Sequence, residues 1–254
     1  MLNFNELKAR GAALVTGASR GFGFEMAKQL SRLGFDLVIT GRDRTALGEA
    51  AAKLGGDVAV YPADLSEPGA AKKLYGAIKA DGITLSVLVN NAGLGASGEA
   101  WEVSEERDGK IISVNVSAAV TLSKLFLSDA CRRGYGALCN VCSVGAFQPG
   151  PYTASYYASK SFLHSYTLAC RYEAKSRGVA VTSVCPGPLD TGFFRSAGAV
   201  KPRAAMSAEK AAEYAVRRFS HGAATVVPGF WNRVARLLPA GVKTAAVARM
   251  KKPR

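Results

Sequence analysis

The chain has 254 residues, 48% of them hydrophobic, enough to bury the core of one α/β domain or two small ones. Its five cysteines are odd in number and scattered, which argues against a disulfide framework and suits reduced thiols in a cytoplasm. The net charge of +14 is unevenly placed: Glu213 is the last acidic residue, and nine Lys or Arg follow it. Such a tail attracts anions generally, whether nucleic acid, phospholipid or a phosphorylated cofactor or carrier. No stacking-aromatic or recognition-helix pattern accompanies it, so nucleic acid is not an expected partner. The first residues show no charged-then-apolar leader pattern, and the apolar run at 11–15 is too short to span a bilayer.

Residues 12–15 form a short apolar run that leads into TGASRGFG at 16–23, followed by a helical pattern over 24–33. Strand, glycine-rich turn and helix begin a dinucleotide-binding unit, with a pyrophosphate facing the amides at the helix N-terminus. The spacing is G-x-x-x-G-x-G, through Gly17, Gly21 and Gly23. Residues 35–40 read as a second strand that ends at Thr40 and Gly41, with Arg42 next. An acidic residue there would bind the ribose hydroxyls and repel a 2′-phosphate. Its absence, with Arg42 and Arg20 nearby, points to NADP(H) rather than NAD(H).

Residues 57–61 read as a third strand leading to Asp64, then a helix to about residue 80. A fourth strand over 85–89 closes at Asn90, Asn91, Ala92 and Gly93. Strands alternating with helices predict a parallel sheet with right-handed crossovers. The pattern then predicts one long helix over 104–132 with Asn115 near its middle, an indifferent helix former.

An apolar run at 137–142 reads as a buried strand, and Ser143 follows it. Cys139 and Cys142 make a C-x-x-C inside that strand, where i and i+3 face opposite ways, so no metal site is expected. Residues 154–172 favour helix and carry Tyr156 and Lys160, four apart and so on one face. A cation beside a phenol favours the phenolate, making the tyrosine a proton donor or acceptor. Tyr157, three residues from Lys160, competes for that place. His164 reads as a helix packing residue and His221 as surface. Residues 223–227 read as the last strand.

Taken together, these motifs resemble the short-chain dehydrogenase/reductase family over roughly residues 11–229. TGASRGFG, NNAG at 90–93, Asn115, Ser143 thirteen before Tyr156, Y-x-x-x-K at 156–160 and PGPLDT at 186–191 stand in family order. Phe22 is a departure, since a small aliphatic residue is usual there. The resemblance implies one doubly wound, Rossmann-type α/β domain, mostly a seven-stranded parallel sheet with helices on both faces. The catalytic domain would be residues 1–229, extended by a basic segment at 230–254.

The resemblance also selects Tyr156 over Tyr157 and implies the roles. Tyr156 would be the general acid in reduction, Lys160 would lower its pKa and hold the nicotinamide ribose, and Ser143 would hydrogen-bond the substrate oxygen. Asn115 would hold a water that links Lys160 to solvent. Gly17, Ser19, Arg20, Gly21, Phe22 and Gly23 would line the phosphates, and Arg42 would meet the 2′-phosphate. Asp64 and Leu65 would flank the adenine, Asn91 the adjoining ribose, and Leu189 and Thr191 the carboxamide. Leu94, Gly95, Ala146, Phe147, Tyr152, Phe193 and Phe194 would border the substrate pocket, with 188–206 as its lid. The function implied is reversible NADPH-dependent reduction of a hydrophobic ketone or aldehyde, of 3-oxoacyl or steroid-like type; the alternative is a non-catalytic NADP(H)-binding protein on the same fold. A homodimer or homotetramer is expected by the same resemblance.

The tail leaves three readings. Phe230, Trp231, Val234, Leu237 and Leu238 recur at roughly helical spacing between arginines. The segment could pack on the body or a second subunit, lie on an anionic membrane, or draw an acidic carrier-linked substrate.

Overall fold

The computed structural model describes residues 3–200, 202 and 204–251. Of the segments discussed above, Lys201, Arg203 and the last three residues lie outside the described residues.

Seven strands form one all-parallel sheet: β1 (Ala12–Thr16), β2 (Leu37–Gly41), β3 (Val58–Pro62), β4 (Leu85–Asn90), β5 (Gly136–Val141), β6 (Val179–Val184) and, closing the far edge, Thr225–Val226. The spatial order is β3-β2-β1-β4-β5-β6 and then that edge strand. Order reverses between β1 and β4, the crevice where open α/β sheets bind ligands. The register pairs Val15 with Ile39 on one side and with Val89 on the other.

Both faces of the sheet are covered, which is why β1, β4 and β5 are apolar almost throughout. On one face, Ala13 and Val15 of β1 meet α1 (Phe4–Arg10), α2 (Gly21–Arg32) and α3 (Arg44–Leu54) in a single core cluster. Phe22, Met26 and Leu30 recur every four residues on α2 and are buried together. On the other face, Leu14 joins α4 (Ala70–Ala80) and the helices between β4 and β5.

Those helices differ from the single long one predicted. They run as α5 (Glu105–Ile112), a π-helical turn (Ser113–Ala118) and α6 (Ala119–Arg133). The whole run is long and apolar enough to cross a membrane by length and composition. Its Leu122, Phe126 and Ala130 are packed into the core beneath the sheet, as a crossover requires. The π turn carries Asn115, whose buried side chain is held by neighbouring chain rather than by solvent.

α2 also starts earlier than predicted, at Gly21 rather than at residue 24, so two of the motif glycines lie inside its first turn. After β5 come α7 (Ala154–Ala174), which carries Tyr156 and Lys160, and then β6. A two-stranded parallel ribbon, Leu189–Asp190 with Met206–Ser207, brackets the segment beside the cleft. α8 (Phe193–Ser196) lies within it, and α9 (Ala208–Ser220) follows it and packs on α2. Two helices close the chain: α10 (Phe230–Ala235) and α11 (Ala240–Lys251).

Candidate active site

A cleft of about 1000 Å³ opens above the carboxyl ends of β1, β4, β5 and β6. The glycine turn forms one end. Gly17 sits at φ +66°, and a Cβ there would lie 2.9 Å from the Ala92 Cα, so the turn can hug β4 only as glycine. Arg20 is the N-cap of α2 and gives no side-chain cap, which leaves the first amides of the helix turned to the cleft. Gly17, Ser19, Arg20, Gly21, Phe22 and Gly23 all border it. This arrangement fits a pyrophosphate: a close-approaching backbone, free amides and positive charge.

Arg42 borders the same cleft just past β2 and is exposed. The two nearest acids are engaged elsewhere. Asp43 caps α3, accepting from Ala46 N at 3.0 Å. Asp64 accepts from Ser66 N at 2.9 Å and from Ser66 Oγ at 2.7 Å. Burial pushes the Asp64 carboxyl up, but the Ser66 bonds with Arg42 and Lys110 outweigh it and hold it below its ordinary range. Asp64 is therefore not a cleft residue; its neighbours Ala63 and Leu65 are.

Asn91 lines the cleft, and its amide also ties the glycine turn to β4. Its Nδ2 donates to Thr16 O at 2.9 Å and Gly17 O at 3.2 Å. Thr16 completes this brace, its Oγ1 accepting from Asn91 N at 3.0 Å and Ala92 N at 2.9 Å. Thr16 opens the TGASRGFG motif, but the sequence assigned its side chain no role. Leu189 and Thr191 border the cleft across from Gly21.

The reacting end is built by β5, the π turn and α7. Ser143 follows β5, and its Oγ accepts from Gly145 N at 3.0 Å. Ser143, Tyr156 and Lys160 share the cleft wall, with Ser143 close enough to the Tyr156 phenol to favour its ionised form. Lys160 is buried; its Nζ donates to Val141 O at 2.8 Å and lies 5.9 Å from the centre of the Tyr156 ring. Asn115 Oδ1 accepts from Leu94 N at 2.8 Å, while its Nδ2 donates to Leu94 O at 2.9 Å and Ser159 Oγ at 3.0 Å. A Cβ on Gly93 would sit 3.3 Å from Lys160 Nζ and 3.4 Å from Asn115 Oδ1, so the lysine and asparagine meet over that glycine. All four expected catalytic residues are thus brought together.

Their electrostatics correct one expectation. Lys160 does not make Tyr156 unusually acidic here. Burial pushes the phenol upward, the Ser143 hydroxyl pulls back only partly, and Tyr157, Cys142 and Cys185 add to the rise. The same burial pushes the Lys160 ammonium down. Desolvation opposes either charge. The result is a phenol that keeps its proton, the form a proton donor needs.

The pocket beside Tyr156 is mainly apolar. Leu94, Gly95, Phe147, Phe193 and Phe194 border it as expected, and the Phe193 ring lies 5.3 Å from that of Tyr156. Ala146 and Tyr152 do not. Tyr152 is held back by its backbone at φ 62°, with its carbonyl accepting from Gly98 N. In their place stand Tyr157, Gln148 and the C-terminal segment, from Phe230 and Trp231 through Val247 to Lys251. Lys243 Nζ donates to Phe147 O at 3.0 Å, and Lys251 Nζ lies 5.2 Å from the centre of the Phe194 ring. The segment therefore touches both sides of the pocket. The apolar spacing of 230–238 was the available signal for this, but it did not say what those residues face.

Cys142, His164 and Cys185 also converge, their ligand atoms within 4.8 Å of one another, where spacing gave no hint. His164 Nδ1 lies 2.7 Å from Ser183 Oγ, which lies 3.3 Å from Cys142 Sγ and 3.4 Å from Cys185 Sγ. The group ties α7 to the ends of β5 and β6, one residue before Ser143. Cys139 sits in a different core cluster from Cys142, and all five cysteines are free thiols.

With this geometry in hand, comparison with known proteins is direct. The short chain dehydrogenase family model matches residues 11–202. An uncharacterized oxidoreductase of Staphylococcus epidermidis is 30% identical over 211 residues, covering 82% of this chain and 92% of its own. The 1-deoxy-11-beta-hydroxypentalenate dehydrogenase of Streptomyces exfoliatus is 34% identical over 200 residues, 76% of this chain and 72% of its own. Among solved structures, a short-chain dehydrogenase from Sphingobium yanoikuyae in complex with NADPH superposes with a TM-score of 0.82 at 25% identity, covering 96% of this chain and 98% of that one. The chain belongs to the short-chain dehydrogenase family of oxidoreductases.

Proposed function

We propose that this protein is a reversible NADPH-dependent reductase of apolar ketones or aldehydes. The observation that carries the reading is the half-buried Tyr156 phenol beside Ser143, at the end of a cleft whose other end is a glycine-lined phosphate cradle. NADPH supplies the hydride when bound.

The chain's own groups do the rest. The α2 amides and Gly17–Gly23 turn would hold the pyrophosphate, and Arg20 and Arg42 would receive the 2′-phosphate. Leu65 packs against the adenine, Asn91 meets the adjoining ribose, and Leu189 with Thr191 holds the carboxamide. Ser143 hydrogen-bonds the substrate oxygen and steadies the charge that develops there. Tyr156 gives that oxygen its proton. Lys160 would bind the nicotinamide ribose and, through a water held near Asn115, return a proton to Tyr156 from solvent.

Leu94, Phe147, Phe193 and Phe194 favour an apolar substrate, and the cleft has room for a ring system or an acyl chain. The Streptomyces relative is named for dehydrogenation of a hydroxyl group, on 1-deoxy-11-beta-hydroxypentalenate, which is chemistry of the same kind. A cytoplasmic location accords with five free thiols. Self-association as a dimer or tetramer would use Ile112 of α5 and Phe162 and Tyr172 of α7, large apolar side chains left exposed.

A panel of cyclic ketones, aromatic aldehydes and 3-oxoacyl thioesters, followed by loss of NADPH absorbance, tests the reading. Turnover of apolar members with NADPH preferred over NADH supports it. Tight NADPH binding without turnover of any member would point instead to a non-catalytic NADP(H)-binding protein.

A further inference from the structure

Seven of the fourteen exposed large apolar side chains among the described residues fall between Phe230 and Met250. Trp231 and Leu237 are each 78% exposed. Arginines and lysines are interleaved with them, and no acidic residue follows Glu213. An exposed apolar patch mixed with charge of one sign marks a surface that something else covers.

Three occupants compete. The body of the protein already takes what it can: Val247 is buried, Lys243 is bonded to Phe147 O, and Arg233 to the Tyr214 hydroxyl at 2.8 Å. The remaining apolar groups stay exposed. A second copy related by a two-fold axis would set this cationic segment against itself, without a carboxylate from the segment to offset the repulsion. An anionic lipid surface satisfies both features at once: tryptophan, phenylalanine and leucine enter the headgroup–acyl boundary while arginine meets lipid phosphate. The same segment is also the rim of the cleft, to which Phe230, Trp231, Leu238, Val242 and Met250 all contribute.

We infer that residues 230–251 seat the enzyme on an anionic lipid surface, so that the cleft takes up a ketone dissolved in the bilayer. The uptake rests on the reductase reading above; the seating does not.

The test sediments the full chain with vesicles of phosphatidylcholine alone and of equimolar phosphatidylcholine and phosphatidylserine. The protein should bind the anionic vesicles, and added salt should release it. Arg249→Gln should weaken that binding about fivefold, as expected for one basic residue near the surface. Leu237→Ser should weaken binding further, with the thermal midpoint and NADPH turnover of a water-soluble ketone unchanged, since Leu237 is exposed and does not line the cleft. Absence of binding to anionic vesicles, or binding indifferent to these variants, would overturn the inference. So would sedimentation velocity showing a wild-type oligomer that Leu237→Ser dissociates, which would give the face to a second copy. Vesicle binding is read whether or not any ketone is turned over, so the two proposals fail separately.

Discussion

Gly23→Ala tests whether the cofactor cradle is built by close approach rather than by loop flexibility. A Cβ at Gly23 would overlap both the Asn91 Nδ2 and the Gly17 carbonyl oxygen. The carbonyl belongs to a turn fixed on β1 and β2, where Gly17 N donates to Thr40 O at 2.8 Å, so it cannot withdraw. Asn91 must move instead and lose its bonds to Thr16 O and Gly17 O. Two such bonds are worth about 1 kcal/mol each. Overpacking of the first helical turn adds about 1–3 kcal/mol. Together they destabilise the fold by roughly 3–5 kcal/mol, a fall in Tm of roughly 6–20 °C. NADPH affinity, read by fluorescence titration, should fall with it, because Asn91 and Gly17 both face the cleft. Gly48→Ala is the control: it lies in α3 with nothing within 4 Å of the added carbon. It should raise stability by up to about 1 kcal/mol. A Gly23→Ala protein with wild-type melting and wild-type NADPH affinity would refute the close-approach account.

Arg42→Asp should lower NADPH affinity by about 10–100-fold, as expected for one exposed charge-assisted contact, while NADH changes little; equal loss for both would remove Arg42 from the 2′-phosphate site. Because burial raises Tyr156, ketone reduction should hold steady through neutral pH and fall only above the ordinary phenol range near ~10, whereas alcohol oxidation, which needs the phenolate, should rise with pH. Reduction that declines on going from mildly acid to neutral pH would contradict this. Asp129 accepts from the buried Tyr75 hydroxyl at 3.0 Å and from Lys79 Nζ at 2.9 Å. Burial works against its charge, but these partners and Arg132 hold its pKa below the ordinary value. A depressed carboxyl contributes stability above its unfolded pKa, near ~3.9, and loses it as pH falls through the folded value. Asp129→Ala should therefore lower stability by about 1–3 kcal/mol at neutral pH, a gap that closes in acid.

Much of this architecture is legible in the sequence because fully buried parallel strands are near-continuous apolar runs. Six of the seven strands carry that signal; β6 enters only through the number the resemblance implies, since Thr182 and Ser183 interrupt its apolar character. Helix starts are less legible. Gly21 and Gly23 are poor helix formers, yet α2 begins at Gly21 because its first amides have no intrahelical partner and face the cleft. Asn115 drew notice as a weak helix former, but a π turn has no one-residue signature. The catalytic four are readable because fixed spacing on β5 and α7 brings them together. Tyr156 acidity is not, because pattern shows the neighbouring ammonium and hides the burial that raises the phenol. The tail's contribution to the pocket and the Cys142–His164–Cys185 group depend on contacts distant in sequence, which no local period encodes.

The central claim is that the Tyr156 hydroxyl delivers the proton in ketone reduction. Tyr156→Phe removes that hydroxyl and leaves the ring against Phe193 in place. Measured on a ketone that the wild type turns over, the variant should lose at least ~100-fold in kcat and still bind NADPH with wild-type affinity. A Phe variant that reduces the same ketone at the wild-type rate would contradict the account.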